Sequence, residues 1–559
     1  MTFIWGLKKP NGTVHYYLRK TERVNGKPKV TMNIYLGTAD KILDIINANR
    51  NIPEGFDLIS FQFGTVASIS MVNEEIGFTR IVEEVTGSSK TANALLAYIC
   101  GRSEEPLSKN GMGRWSERSA LPLLMSDIPS LSTRSYIRHM DKLTPEDIEQ
   151  ISFRIAERLI EMGHKPSIIF FDTTNFSTEQ QPHGELDRAL PTAGNARDGN
   201  RQAKLVGLAT ATTDRYIPII HEVYAGKEND AKYFQNSVSS MVNTLTKLGM
   251  KCEELCFVFD RGMNSKEGWE AMTSSEVHFI SSLKRNQAVK LLDKTLSEYR
   301  ETYRTKSGEV IYTIREDKIV MGVNGVAVVA YNVSGEKKQI IDYENAKRRF
   351  IKGCEEIARS MNANRRGRPS SIESINRRVI ALIPEKWRIL FRYHAGNTIE
   401  SSAAGDNGVK LTYWIDKEAE KEKRSGFGKT VIFTDRKDWS NERIVRTYFA
   451  RSGMEEDYHI LKDVLLFPVM PIYHRLDKRI RAHMFMCVMG LLFYRYIQWK
   501  IEVVRGESMP MGRMVSILKQ IRLGGLIIND NDVRFKLERM GVEEKEIVKI
   551  LKIDSLVPN

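Results

Sequence analysis

Four side chains with phosphate or metal chemistry recur at short spacing in the run YFARSGMEEDYHILK (residues 448–462): Tyr448, Arg451, Glu455 and Lys462. On a helix turning about 100° per residue they fall within an arc of about 60°. A phenol, a guanidinium, a carboxylate and an ammonium would then share one face, while Glu456 turns away from it. One carboxylate among three phosphate-seeking groups is understandable if the acid holds a metal ion and the other three hold a phosphate backbone around it. A charged amphipathic helix is the plainer alternative. Ser440 stands where an N-cap would, and Glu442 lies in the first turn, where the helix dipole favours an acid. Gly453 costs the helix about 1 kcal/mol against Ala, and a break there would spoil the shared face.

A divalent ion takes several oxygen ligands, so further acids are expected from elsewhere in the chain. Two apolar runs end in aspartate: SIIFFD at Asp172 and LCFVFD at Asp260. Continuous short apolar runs read as strands buried on both faces. Between them AKLVGLATATT and IPIIHEVYAG read as two more strands joined by a tight turn at Asp214-Arg215, followed by a helix from Asp230 to Leu248. After Asp260 come a helix (SKEGWEAMTSS) and a strand (VHFISSLK). The element order is β-β-β-α-β-α-β. An aspartate that closes an apolar strand is also a common loop-entry residue, and Asp172 would then cap a DTTN turn.

The rest of the chain bounds the reading. Its 559 residues carry 84 Lys and Arg against 70 Asp and Glu, a formal net charge of +14. That balance favours a polyanionic partner, nucleic acid before membrane. Cys100, Cys252, Cys256, Cys354 and Cys487 lack paired zinc-ligand spacing and read as free thiols in a reducing compartment. MTFIWGLKKPNG at the N-terminus has no apolar core of signal-peptide length. The most apolar helix, Met484 to Tyr494, is too short to span a bilayer and suits a buried position. These features predict a cytoplasmic protein.

The organisation expected along the chain is a basic β-rich segment (1–73), a helical and possible DNA-binding domain (74–163), a core in two parts (164–284 and 441–500), a β-rich insertion between them (285–440) and a helical tail (501–559). Asn-Gly and Pro-Asn-Gly turns mark hairpins in the first segment. Lys8, Lys9, Arg19, Lys20, Arg23, Lys27 and Lys29 make it basic, so it reads either as a small DNA-contacting sheet or as an ordinary solvated meander. Thr144-Pro145 predicts a clean helix start and Gly163 a stop. Arg134, Arg138 and Lys142 lie on helical segments that carry no defensible helix-turn-helix pattern. Arg365-Arg366-Gly367-Arg368-Pro369 is similar to a minor-groove AT-hook core, although a flexible basic loop explains it as well. His221, His459 and His483 receive no role.

The spacing of Tyr448, Arg451, Glu455 and Lys462 resembles the Tyr-(2)-Arg-(3)-Glu-(6)-Lys signature of one branch of the DDE transposases of bacterial insertion sequences, and all four positions match. The order of elements around Asp172 and Asp260 resembles the ribonuclease-H-like fold, which carries one aspartate on its first strand and another at the end of its fourth. Asp260-Arg261-Gly262 resembles the family's second-aspartate motif. The resemblance covers roughly Ser167 to Lys500. It implies an α/β chain with a ribonuclease-H-like core. It implies that Asp172, Asp260 and Glu455 are catalytic ligands of two Mg²⁺ ions, with Mn²⁺ able to substitute. Tyr448, Arg451 and Lys462 would bind DNA. The implied activity is binding of terminal inverted repeats, cleavage at the element ends and transfer of 3′ ends to target DNA, with a hairpin intermediate in related branch members. The implied partners are double-stranded DNA and a second copy of the chain, in a prokaryotic cytoplasm and at its nucleoid. GNARDGNR (194–201) matches a family stretch only loosely. Trp414 and Trp439 are both candidates for the family's tryptophan near a flipped base. Two other readings fit the same residues: a metal-dependent structure-specific nuclease, and a catalytically silent DNA-binding protein derived from a transposon.

Overall fold

The computed structural model describes residues 2–24, 27–48, 56–178, 190–193, 204–284, 287–305, 307–362, 371–397, 409–463, 466–528 and 532–558. The stretches 363–370 and 194–203, which hold the AT-hook-like run and GNARDGNR, lie outside them. The chain forms two compact units. One comprises residues 1–79, 88–139 and 496–559, the other residues 80–87 and 140–495.

In the first unit, Thr2–Lys8, Val14–Val24 and Lys27–Gly37 form an antiparallel meander. The C-terminal stretch is not the all-helical tail expected. Arg522–Ile528 and Asp532–Leu537 are strands, and the first of them pairs antiparallel with Phe56–Gln62. LGGLII is an apolar run too short for a helix, and its two glycines let the neighbouring strands approach closely.

The second unit is built on one mixed sheet. Its order is Arg300–Arg304, Val310–Val320, Val323–Asn332, Lys429–Thr434, His278–Ser282, Cys256–Phe259, Ile168–Thr178 and Lys204–Thr212; the last strand also pairs with Pro218–Ala225 and with Thr192–Ala193. Ile168–Thr178, Cys256–Phe259 and His278–Ser282 run parallel to one another, and the other pairings are antiparallel. Side chains alternate across a strand. Phe171, Phe257, Phe259 and Phe279 therefore join a core with Phe234 and Trp269, from the helices Asp230–Lys247 and Lys266–Ser274. Trp269 stacks on Phe433 at 5.1 Å and lies tilted on Phe279 at 4.7 Å.

Two expectations need correction. The strand through Asp172 does not end there but runs on to Thr178, so DTTN is extended strand and not a capped turn. Thr173 and Thr174 are β-branched, and Asp172 to Thr178 pair with Thr210 to Lys204 of the neighbouring strand. The stretch 285–440, expected as a β-rich insertion, holds long helices as well as strands. Its outer strands extend the main sheet. Between them lie the long helix Val333–Asn362, the helix Ile372–Leu382 and the hairpin Phe391–Asn397/Val409–Ile415, around a core of Tyr343, Phe350, Trp387 and Phe391.

The predicted start at Thr144-Pro145 is observed with a full capping box: the Asp147 N–H donates to the Thr144 hydroxyl, and Asp147 accepts from the Thr144 N–H. The apolar stretch Met484–Tyr494 is buried as expected, and no helix among the described residues is long and apolar enough to cross a membrane. All five cysteines are free thiols.

Candidate active site

The face of the Ile168–Thr178 strand opposite the Phe171 core presents Phe170, Asp172, Thr174 and Phe176, because alternate residues share a face. The parallel register pairs Phe170 with Val258 of the next strand. Two residues further along, Asp172 comes abreast of Asp260, just past the end of that strand. Adjacent parallel strands thus bring together two acids that lie far apart in sequence.

The third acid arrives on a broken helix. One helix was expected through residues 448–462, with Gly453 as the place it could break. Instead Asn441–Ala450 and Ser452–Lys462 are two helices, and the break is at Arg451. Ser440 caps the first as expected, accepting from the Arg443 N–H at 3.2 Å. The shared-face count over one continuous helix therefore does not apply, yet the residues still converge.

The break has an identifiable cause. Tyr216, in the turn between Lys204–Thr212 and Pro218–Ala225, adopts φ 59°, an unusual conformation for a bulky residue. Its hydroxyl donates to the Ala450 carbonyl at 2.8 Å, and its ring lies 5.4 Å from Phe170. A Cβ built on Gly453 would sit 2.3 Å from that ring. Glycine is needed at 453 for this close approach, not for a left-handed backbone. Replacing Gly453 by Ala is expected to lower unfolding stability by about 1–3 kcal/mol, read from urea denaturation, because ring and helix must separate.

Arg451 lies at the centre of the site. Its guanidinium is 3.5 Å from Asp172 Oδ2, 4.0 Å from Asp260 Oδ1 and 3.0 Å from Glu455 Oε1. Only the Glu455 contact is a hydrogen bond. Burial works against the Arg451 charge, but Asp172, Asp260, Tyr448 and Glu455 outweigh it and hold the pKa above its ordinary value. Tyr448 is buried beside it. Burial raises the phenol pKa, Ser282 and Arg451 pull it down, and Asp260 raises it further. Lys462 donates to the Thr174 hydroxyl at 2.7 Å, two residues along the strand from Asp172 and on the same face. All six predicted residues therefore lie within one neighbourhood.

Several supporting residues were not singled out from the sequence. Tyr458, fully buried, donates to the Asp172 main-chain carbonyl at 2.6 Å and is 2.8 Å from the Thr210 hydroxyl. Replacing Tyr458 by Phe is expected to cost about 1–3 kcal/mol by stranding buried partners, which thermal unfolding would read. Asp457 and Arg495 form a buried ion pair at 2.6 Å. Burial lifts the Asp457 carboxyl to about 7 against the opposing pull of Arg495. Arg495 also reaches Glu456 at 3.2 Å, which engages that carboxylate away from the three above. The detectable signal was an arginine directly after a long apolar run.

The two tryptophans separate. Trp439 is buried, with the Arg443 guanidinium 3.7 Å from its ring centroid, whereas Trp414 is exposed on the Val409–Ile415 strand. His221 is half-buried with its ring 5.9 Å from that of Phe485, and His483 Nε2 lies 2.8 Å from the Val469 carbonyl.

The transposase DDE domain model matches residues 163–493, more than half the chain. The chain belongs to the transposase DDE domain family. The matched stretch contains Asp172, Asp260 and Glu455 together with the strands and helices that carry them. No curated protein matches this transposase. Among solved structures, a piggyBac transposase synaptic complex with hairpin DNA, determined by cryo-EM, is similar at 7% identity and a TM-score of 0.36, covering 81% of this chain and 78% of that one.

The donor set suits hard divalent cations. Three carboxylates, one on a strand, one just past the end of the adjacent strand and one on a helix, all turn toward one positive charge. Among the described residues they do not form a preassembled cluster of metal ligands. Arg451 stands between them.

Proposed function

We propose that this transposase cuts DNA at the ends of a mobile element and joins the 3′ ends to target DNA, with Asp172, Asp260 and Glu455 as the metal-binding catalytic acids of a ribonuclease-H-like core. The observation that carries the reading is the convergence of these acids on a single guanidinium. The three antiparallel strands followed by two parallel ones support the core assignment. Two Mg²⁺ ions bound by the acids would activate the attacking oxygen and stabilise the leaving oxygen of the phosphodiester.

The chain's own residues position the DNA. Arg451 offers a planar fork to a phosphate, Lys462 a point charge and Tyr448 a hydroxyl. Tyr458 fixes the acid-bearing helix to the Asp172 strand. Trp414 is the exposed candidate for stacking on an unpaired base, since Trp439 is enclosed by arginines. The net positive charge favours binding of double-stranded DNA, and pairing two element ends calls for at least a dimer on DNA.

The test is Mg²⁺-dependent nicking and strand transfer on duplexes made from the DNA flanking the gene. Joined products from pre-cleaved ends are expected. Nicking without joining would favour a structure-specific nuclease, and neither activity would favour a silent DNA-binding descendant.

A further inference from the structure

We propose that Arg451 is a resident counter-ion of the acidic cage, which a divalent cation must displace. The inference rests on the metal-binding reading of Asp172, Asp260 and Glu455. A guanidinium bound for its own sake would pair side-on with one carboxylate through two short parallel bonds. Arg451 does not. It divides Nη1 and Nη2 among three acids at 3.5, 4.0 and 3.0 Å, only one of which is a hydrogen bond.

Its Nε is shielded from solvent and has no acceptor among the described residues. A buried donor left unused is costly, so this is a poor final arrangement for an arginine. Its side chain is only 14% exposed, and it faces the enclosed Asp172 carboxylate, itself 13% exposed, where solvent does little to neutralise the charge. Arg451 occupies the space between the acids and supplies the charge that a metal ion would supply. It has a structural means of moving, because it lies at the junction of two helices and not inside one.

Cation and guanidinium therefore compete for the same oxygens. Removing the guanidinium takes away the cation that faces all three carboxylates, which weakens the metal-free fold and strengthens metal binding. An arginine serving only as a packing element would, on removal, loosen the site and weaken metal binding.

The experiment measures Mn²⁺ binding to the full chain without DNA, by the electron paramagnetic resonance signal of free Mn²⁺. R451Q is expected to bind Mn²⁺ about tenfold or more tightly than the parent, and the D172N/D260N double variant to lose that binding. If R451Q gains no affinity while D172N/D260N still abolishes binding, the counter-ion proposal fails and the metal-ligand reading stands. If D172N/D260N leaves binding unchanged, both fail. R451K provides a second comparison should R451Q not fold. Its single ammonium spans fewer acids, so a smaller gain is expected, and no gain counts against the proposal.

Discussion

Replacing Asp172, Asp260 or Glu455 by its amide is expected to lower Mg²⁺-dependent DNA cleavage by about 10²–10³-fold or more, while circular dichroism and DNA retention stay near those of the parent. Asn and Gln keep the size and one oxygen but lose the negative charge that a divalent ion requires. Removing one preorganised electrostatic contact to a reacting group typically costs this much or more. The three variants should not multiply, because the acids act as one cage and any two losses should cost little more than one. Asp260 and Glu455 have substantially exposed side chains, so their amides need not disturb packing. Asp172 is more enclosed and accepts from the Thr173 N–H at 2.8 Å, a bond the amide oxygen of Asn can keep. Full cleavage by all three variants would remove the proposed active site.

Replacing Arg495 by Met is expected to destabilise the protein by about 3–5 kcal/mol, more than any other single change considered. Arg495 and Asp457 are almost fully enclosed. Losing the cation strands a carboxylate in the core, on the buried side of the helix that carries Glu455. The effect should depend on pH. With Arg495 gone, the folded pKa of Asp457 rises further above its unfolded value, so the carboxylate binds a proton more tightly when folded. Below about pH 7 the folded carboxyl is protonated in parent and variant alike, and the deficit does not change with pH. It grows as pH rises from about 7 toward the new folded pKa. Denaturation on either side of about pH 7 would read this. Adding D457L to the Met variant should recover most of the loss, since apolar replacement of a whole buried pair is often neutral or better. A flat pH response, or no recovery, would show that Arg495 acts through something other than Asp457.

Much of this transposase was legible from residue types in order. The strand through Asp172, the strand before Asp260 and the helix between them follow from short apolar runs and period-3.6 spacing, because local sterics and burial act on near neighbours. The four-residue spacing from Tyr448 to Lys462 likewise identified side chains that do lie together. Other features were not legible. LGGLII in the C-terminal stretch becomes a strand only because Phe56–Gln62, far away in sequence, offers its edge. The break at Arg451 depends on a tyrosine more than two hundred residues earlier, whose hydroxyl takes a helical carbonyl and whose ring fits against Gly453. The sequence determined which side chains are the candidates for the chemistry. Tertiary packing decided that the acids meet around Arg451, because strand register and a helix break depend on partners no local window contains.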